Sequence, residues 1–102
     1  MEFIEASFFA KVSKGLLEED ELRAVQMVLS TRPTIGKIIP GTGGLRKMRW
    51  VTRGKGKRGG LRMIYYWMTH DDQIFLLYVY RKTVQDDITV EELKMLRNSL
   101  EM

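Results

Sequence analysis

The sequence predicts an α+β fold: a small antiparallel sheet, made of a meander of three central strands plus an N-terminal strand, with helices packed on one face. Three observations lead there. Residues 45–51, 61–68 and 74–82 are strand-like runs, the first alternating charged and apolar side chains at Lys47-Met48-Arg49-Trp50 and the second rich in aromatic and β-branched residues, separated by Gly-rich or Asp-containing turn sequence. Apolar positions recur at helical spacing after Glu18 and Thr89. The order strand, two helices, three strands, helix keeps the element types in blocks, without the alternation of a parallel βαβ sheet. With 102 residues and no internal repeat or linker, residues 1–102 read as a single domain with one core.

Each element has its own signal. Phe3 and Ile4 suit a short strand, and Ser7 is placed to cap a helix carrying Phe8, Phe9 and Val12 that Gly15 ends. A second helix starts near Glu18, where Glu18, Glu19, Asp20 and Glu21 complement the positive end of the helix dipole. Leu22, Val25, Val28 and Leu29 form its apolar stripe, and Pro33 stops it near Thr31. Residues 36–44 are a turn-rich connection. His70, Asp71, Asp72 and Gln73 turn the chain between the second and third central strands. Thr89 and Glu92 have the spacing of a capping box, opening a helix with Val90, Leu93, Leu96 and Leu100 on one side.

Charge is distributed unevenly. Residues 41–66 (GTGGLRKMRWVTRGKGKRGGLRMIYY) hold 8 of the 17 Lys and Arg residues and 7 of the 9 Gly, and no acid. Between Glu21 and Asp71 there are 11 basic residues and no Asp or Glu, so this middle carries +11, the remainder −7, and the whole chain +4. Such concentrated like charge self-repels unless a polyanion or an acidic partner neutralises it, and phosphate is the obvious candidate. Residues 52–60 are too rich in Gly to hold an element and read as a mobile hairpin loop whose Arg53, Lys55, Lys57 and Arg58 grip a nucleic-acid backbone.

Strand parity then groups the side chains. Lys47 and Arg49 share one side of the first central strand, Arg62 shares its side with Ile64 and Tyr66, and Lys82 shares its side with Tyr80 and Tyr78. An uncovered sheet face carrying these cations among tyrosines suits single-stranded RNA, with phosphates on the cations and bases on the rings. Met63, Tyr65, Trp67, Phe75, Leu77 and Val79 are the expected core on the other face. Aromatics favour strands in any case, so the tyrosines are also explained by ordinary sheet packing. Cutting RNA by attack of its own 2′-hydroxyl needs a proton acceptor, a donor and cations around the phosphate. A lysine crowded by like charge gives up its proton more readily, and Arg grips phosphate bidentately. Charge alone does not separate a ribonuclease from a clamp.

Other chemistries find little support. The single histidine, His70, lies in an acidic turn and rules out a two-histidine ribonuclease; no metal-ligand set and no cofactor motif is evident. Gly41-Thr42-Gly43-Gly44 lacks the Lys-Ser/Thr of a P-loop and leads into a strand. The absence of cysteine excludes disulfides and thiolate chemistry. With no membrane-length apolar run and acids near the N-terminus, a cytoplasmic protein without membrane association is expected.

The run from Gly41 through Arg49, the loop Gly54-Lys55-Gly56-Lys57-Arg58-Gly59-Gly60, then Arg62-Met63-Ile64-Tyr65-Tyr66 and Tyr80-Arg81-Lys82, resemble the HigB branch of the RelE toxin superfamily. The resemblance covers nearly the whole chain and implies a RelE-like fold. It also implies a type II toxin–antitoxin toxin, a metal-independent endoribonuclease that cuts translated mRNA in the ribosomal A site; a non-catalytic protein that blocks translation by occupancy is the alternative. The partners implied are ribosome, mRNA and a cognate antitoxin, HigA-like with a helix-turn-helix part. Family roles carry over to Arg62, to Lys47 and Arg49, and to a cation at the end of the last strand, where parity favours Lys82 over Arg81. Arg46, Tyr66, Tyr78, Tyr80 and Arg81 are the further RNA contacts expected. Some relatives use a tyrosine early in the last helix; Asp86-Asp87-Ile88 has none, a role Tyr80 or Tyr78 could fill.

Overall fold

The computed structural model describes residues 1–51, 60–82 and 88–100. Its elements run β1 (Glu2–Glu5), α1 (Ser7–Ser13), α2 (Glu19–Thr31), β2 (Lys37–Ile38), β3 (Arg46–Trp50), β4 (Leu61–Met68), β5 (Gln73–Arg81) and α3 (Val90–Asn98). The α+β class and the central meander are as expected. The sheet, however, has five strands in the order β1-β5-β4-β3-β2. It is mixed, because β1 lies parallel to β5 while the other neighbours are antiparallel. The added strand, β2, is two residues long and gives too little period to be seen in sequence.

A second correction concerns the layers. The helices occupy both faces of the sheet. Phe9 of α1 and Val25 and Leu29 of α2 pack with Met63, Tyr65, Ile74 and Leu76. Leu93 of α3, with Leu96 and Leu100, packs with Ile64, Tyr66, Phe75 and Leu77 on the other side. A bulge in β5 makes this possible. The register steps from Ile64↔Tyr78 to Tyr65↔Leu76, leaving Leu77 as the extra residue. Because side chains alternate with period two, one extra residue reverses the facing of everything before it. Phe75 and Leu77 are therefore core residues, as expected, but under α3 and not beside Met63 and Tyr65.

Helix ends follow local chemistry. α1 starts at Ser7, with Ala6 at the cap position and no side-chain cap bond, so Ser7 marks the start without capping it. Glu19, Asp20 and Glu21 fill the first turn of α2. The capping box of α3 forms as the sequence specifies: the Glu92 amide donates to the Thr89 hydroxyl at 3.1 Å, and the Thr89 amide donates to the Glu92 carboxylate at 3.0 Å. Thr89→Ala is expected to cost about 1 kcal/mol in urea unfolding.

The connection before β3 is tied down by two hubs. In the first, the Tyr65 hydroxyl donates to the Pro33 carbonyl at 2.7 Å and accepts from the Gly36 amide at 2.9 Å, while Arg46 donates to the Gly36 carbonyl at 2.7 Å. Gly36 is required by space, since a Cβ there would lie 2.7 Å from Tyr65 Cε1 and 3.1 Å from the Lys47 carbonyl oxygen. Thr42 is the second hub, only 2 % exposed, donating to the Ile39 carbonyl at 2.6 Å and accepting from the Leu45 amide at 3.2 Å. Gly43 and Gly44 turn around it with φ of 75° and 104°, values L side chains rarely adopt. The GTGG motif is thus architectural: its hydroxyl faces inward and fixes where β3 begins.

Candidate functional site

Register, not proximity in sequence, assembles the basic face. Across β3, β4 and β5 one rung of opposed residues is Lys47–Ile64–Tyr78 and the next is Arg49–Arg62–Tyr80. Opposed residues of an antiparallel pair project on the same face about 5 Å apart, so Lys47, Arg49 and Arg62 converge. Arg62 is half-buried at the centre, Lys47 is half-buried, and Arg49 is exposed at the side. Lys82 follows β5, two residues beyond Tyr80, with its amide donating to the Gly60 carbonyl at 3.3 Å. Of the cations expected at the site, Lys47, Arg49 and Arg62 therefore share one face, and the Lys82 backbone lies at the same end of the sheet.

This face is not open throughout. α3 covers its other half, and the Arg97 guanidinium lies 4.6 Å from the Tyr66 ring centroid while Arg97 also donates to the Gly43 carbonyl at 3.3 Å. One side of the Tyr66 ring is thereby occupied. Tyr80 is only 3 % exposed, so it packs in the sheet and does not offer a stacking surface. Tyr78 is half-buried between two rings, with centroids 5.3 Å from Phe8 and 5.6 Å from Tyr80. Phe8, half exposed at the outer end of this stack, is the ring best placed to meet a ligand.

Two expected RNA contacts face the other way. Arg46 opposes Tyr65, and its guanidinium is held by the carbonyls of Gly36 and, at 3.5 Å, Thr34. Arg81 opposes Leu61, on the face of α1 and α2. Both leave the basic face for the same reason: each differs by one residue from a position that has the right parity. Arg53, Lys55, Lys57 and Arg58 lie outside the described residues, as do Asp86 and Asp87. His70 is exposed in the β4–β5 turn, as expected.

Sequence reasoning passed over Lys37. It opposes Lys47 across β2 and β3 and so joins the basic face. Beside it a groove of about 600 Å³ opens at the sheet edge, its lining including Lys37, Lys47, Arg49 and Arg62 together with Ile35 and Pro40. The Tyr65 hydroxyl at the first hub is electrostatically perturbed. Burial raises its pKa, opposed by the Gly36 amide bond and the Arg46 charge.

Residues 5–101 match the family model described as RelE toxin of RelE / RelB toxin-antitoxin system. The chain belongs to the RelE toxin family. Its fold is similar to that of an E. coli RelE toxin mutant in the free state, with a TM-score of 0.65 at 15 % identity over 94 % of this chain and 95 % of that one. Isolated E. coli RelE aligns at a TM-score of 0.59 and 14 % identity, covering 97 % of this chain and 98 % of that one. The toxin of the intact E. coli RelBE toxin–antitoxin complex aligns at 0.60 and 17 % identity, over 78 % and 94 % respectively. At these identities the RelE likeness is one of architecture, and the side chains of the basic face stand on their own geometry.

Proposed function

We propose that this RelE-family protein is the toxin of a type II toxin–antitoxin pair and a ribosome-dependent endoribonuclease that cuts translated mRNA. The observation that carries this reading is the placement of Arg62 between Arg49 and Tyr80, one rung from Lys47, on a face supported by a buried sheet. Family membership supports the toxin role, and the resemblance of residues 41–49 and 54–60 to HigB sequences is what favours that branch.

In this reading an RNA phosphate lies over Arg62, which stabilises the charge that grows on the phosphorus-bound oxygens as the neighbouring 2′-hydroxyl attacks in line. Lys47, Arg49 and Lys82 surround the phosphate and share three tasks: taking the proton of the 2′-hydroxyl, giving a proton to the departing 5′-oxygen, and holding charge. An arginine suits the centre because its planar fork keeps its charge and meets two phosphate oxygens at once. An acidic segment of the cognate antitoxin, HigA-like, would find its electrostatic complement on the same +11 stretch.

Brief induction in a bacterial host tests this. Primer extension on a translated reporter is expected to show new 5′ ends that are absent when the reporter's start codon is removed. Growth arrest with both messages intact would overturn the nuclease and leave occupancy of the ribosome as the mechanism.

A further inference from the structure

Strand β2 brings in a lysine that the mechanism above does not use. Lys37 and Lys47 are directly opposed, and like charges so placed destabilise a sheet. An anion seated between them reverses the sign of that interaction. The Lys37–Lys47 rung is two residues from the Arg49–Arg62 rung along β3, about 6.7 Å. That stagger suits successive phosphates of an extended single strand. Beside the cations the groove has an apolar wall that includes Ile35, 37 % exposed, and Pro40. The wall is braced from behind by Tyr65 and Arg46 on Gly36 and by Thr42 on Ile39. Cations beside a fixed apolar wall match the two halves of a nucleotide, phosphate and base.

We propose that this groove is a nucleotide subsite: Lys37 with Lys47 binds the phosphate next to the one held at Arg62, and Ile35 and Pro40 pack against the adjoining base. The assignment rests on RNA being the substrate. It makes Lys37 a binding residue for the nucleotide beside the cleaved bond, and the apolar wall the place where preference among bases arises.

The test uses ribosomes programmed with a message 2′-O-methylated at the A-site codon, which removes the attacking hydroxyl and reads binding alone. Lys37→Gln is expected to weaken binding about tenfold and to shrink the slope of log affinity against log salt by about 0.7. Lys37→Arg keeps both near wild type, and Ile35→Ser weakens binding with the slope unchanged. Either Lys37→Gln or Ile35→Ser binding as wild type does overturns the subsite. The same ribosomes with unmodified message separate the two levels. Lys37-dependent binding with an uncut message refutes the nuclease and keeps the subsite; cleavage by Lys37→Gln at wild-type affinity refutes the subsite and keeps the nuclease.

Discussion

Replacing Arg62 by Ala is expected to lower the single-turnover rate of the proposed message cleavage by about 10²–10³-fold, the usual cost of removing one preorganised donor from a developing oxyanion. The effect falls on the chemical step because Arg62 occupies the centre of the basic face, opposed on one side by Arg49 and on the other by Tyr80. Folding survives the change. Arg62 is only half-buried, so its truncation removes little packing. Thermal unfolding should shift by no more than a few degrees. Arg62→Lys restores charge but not the two-pronged grip, and recovers only part of the rate. Wild-type cleavage by Arg62→Ala would remove this residue from the site.

Tyr65→Phe destabilises the protein by about 2–4 kcal/mol in urea unfolding, because it leaves a buried amide and a carbonyl without their shared partner. The hydroxyl joins Pro33 to Gly36 and so fixes the segment that carries β2 and the groove wall. Gly36→Ala tests the same hub sterically, since the new Cβ would press on the Tyr65 ring at 2.7 Å. There is also a pH signature. Burial holds the Tyr65 pKa above its ordinary value of 10.0 in the folded state. The folded protein therefore keeps a proton that the unfolded chain has lost, so stability is fully present below pH 10 and declines as pH rises through the folded-state pKa. In Tyr65→Phe that component of the alkaline decline disappears; an identical alkaline profile in the two proteins would contradict the account.

Much of this architecture was legible in the residues. β4 matched its aromatic run to the residue, Pro33 ended α2, and the Thr89–Glu92 spacing gave the capping box, because each signal is local. What failed needed information from elsewhere in the chain. Leu77 bulges where β5 must satisfy both β1 and β4, and nothing in its immediate sequence announces the change of facing. Lys37 lies in a strand defined only by its neighbour β3. Arg97 could be recognised as a lid over Tyr66 only once α3 was known to pack on that side. Parity correctly joined Lys47, Arg49 and Arg62, since no bulge interrupts β3 or the first half of β4. Buried Tyr80 shows the limit of composition: an aromatic in a strand is as readily packing as platform.

In the proposed activity, the basic face of this sheet cuts RNA through the RNA's own 2′-hydroxyl. The most direct measurement is end analysis of a labelled message on purified programmed ribosomes after mixing with the protein. The account predicts cuts at the A-site codon that leave a 5′-hydroxyl on the downstream fragment, that vanish when the codon is 2′-O-methylated, and that are lost in Arg62→Ala. Translation stopped with the message at full length, or fragments carrying a 5′-phosphate, would contradict it.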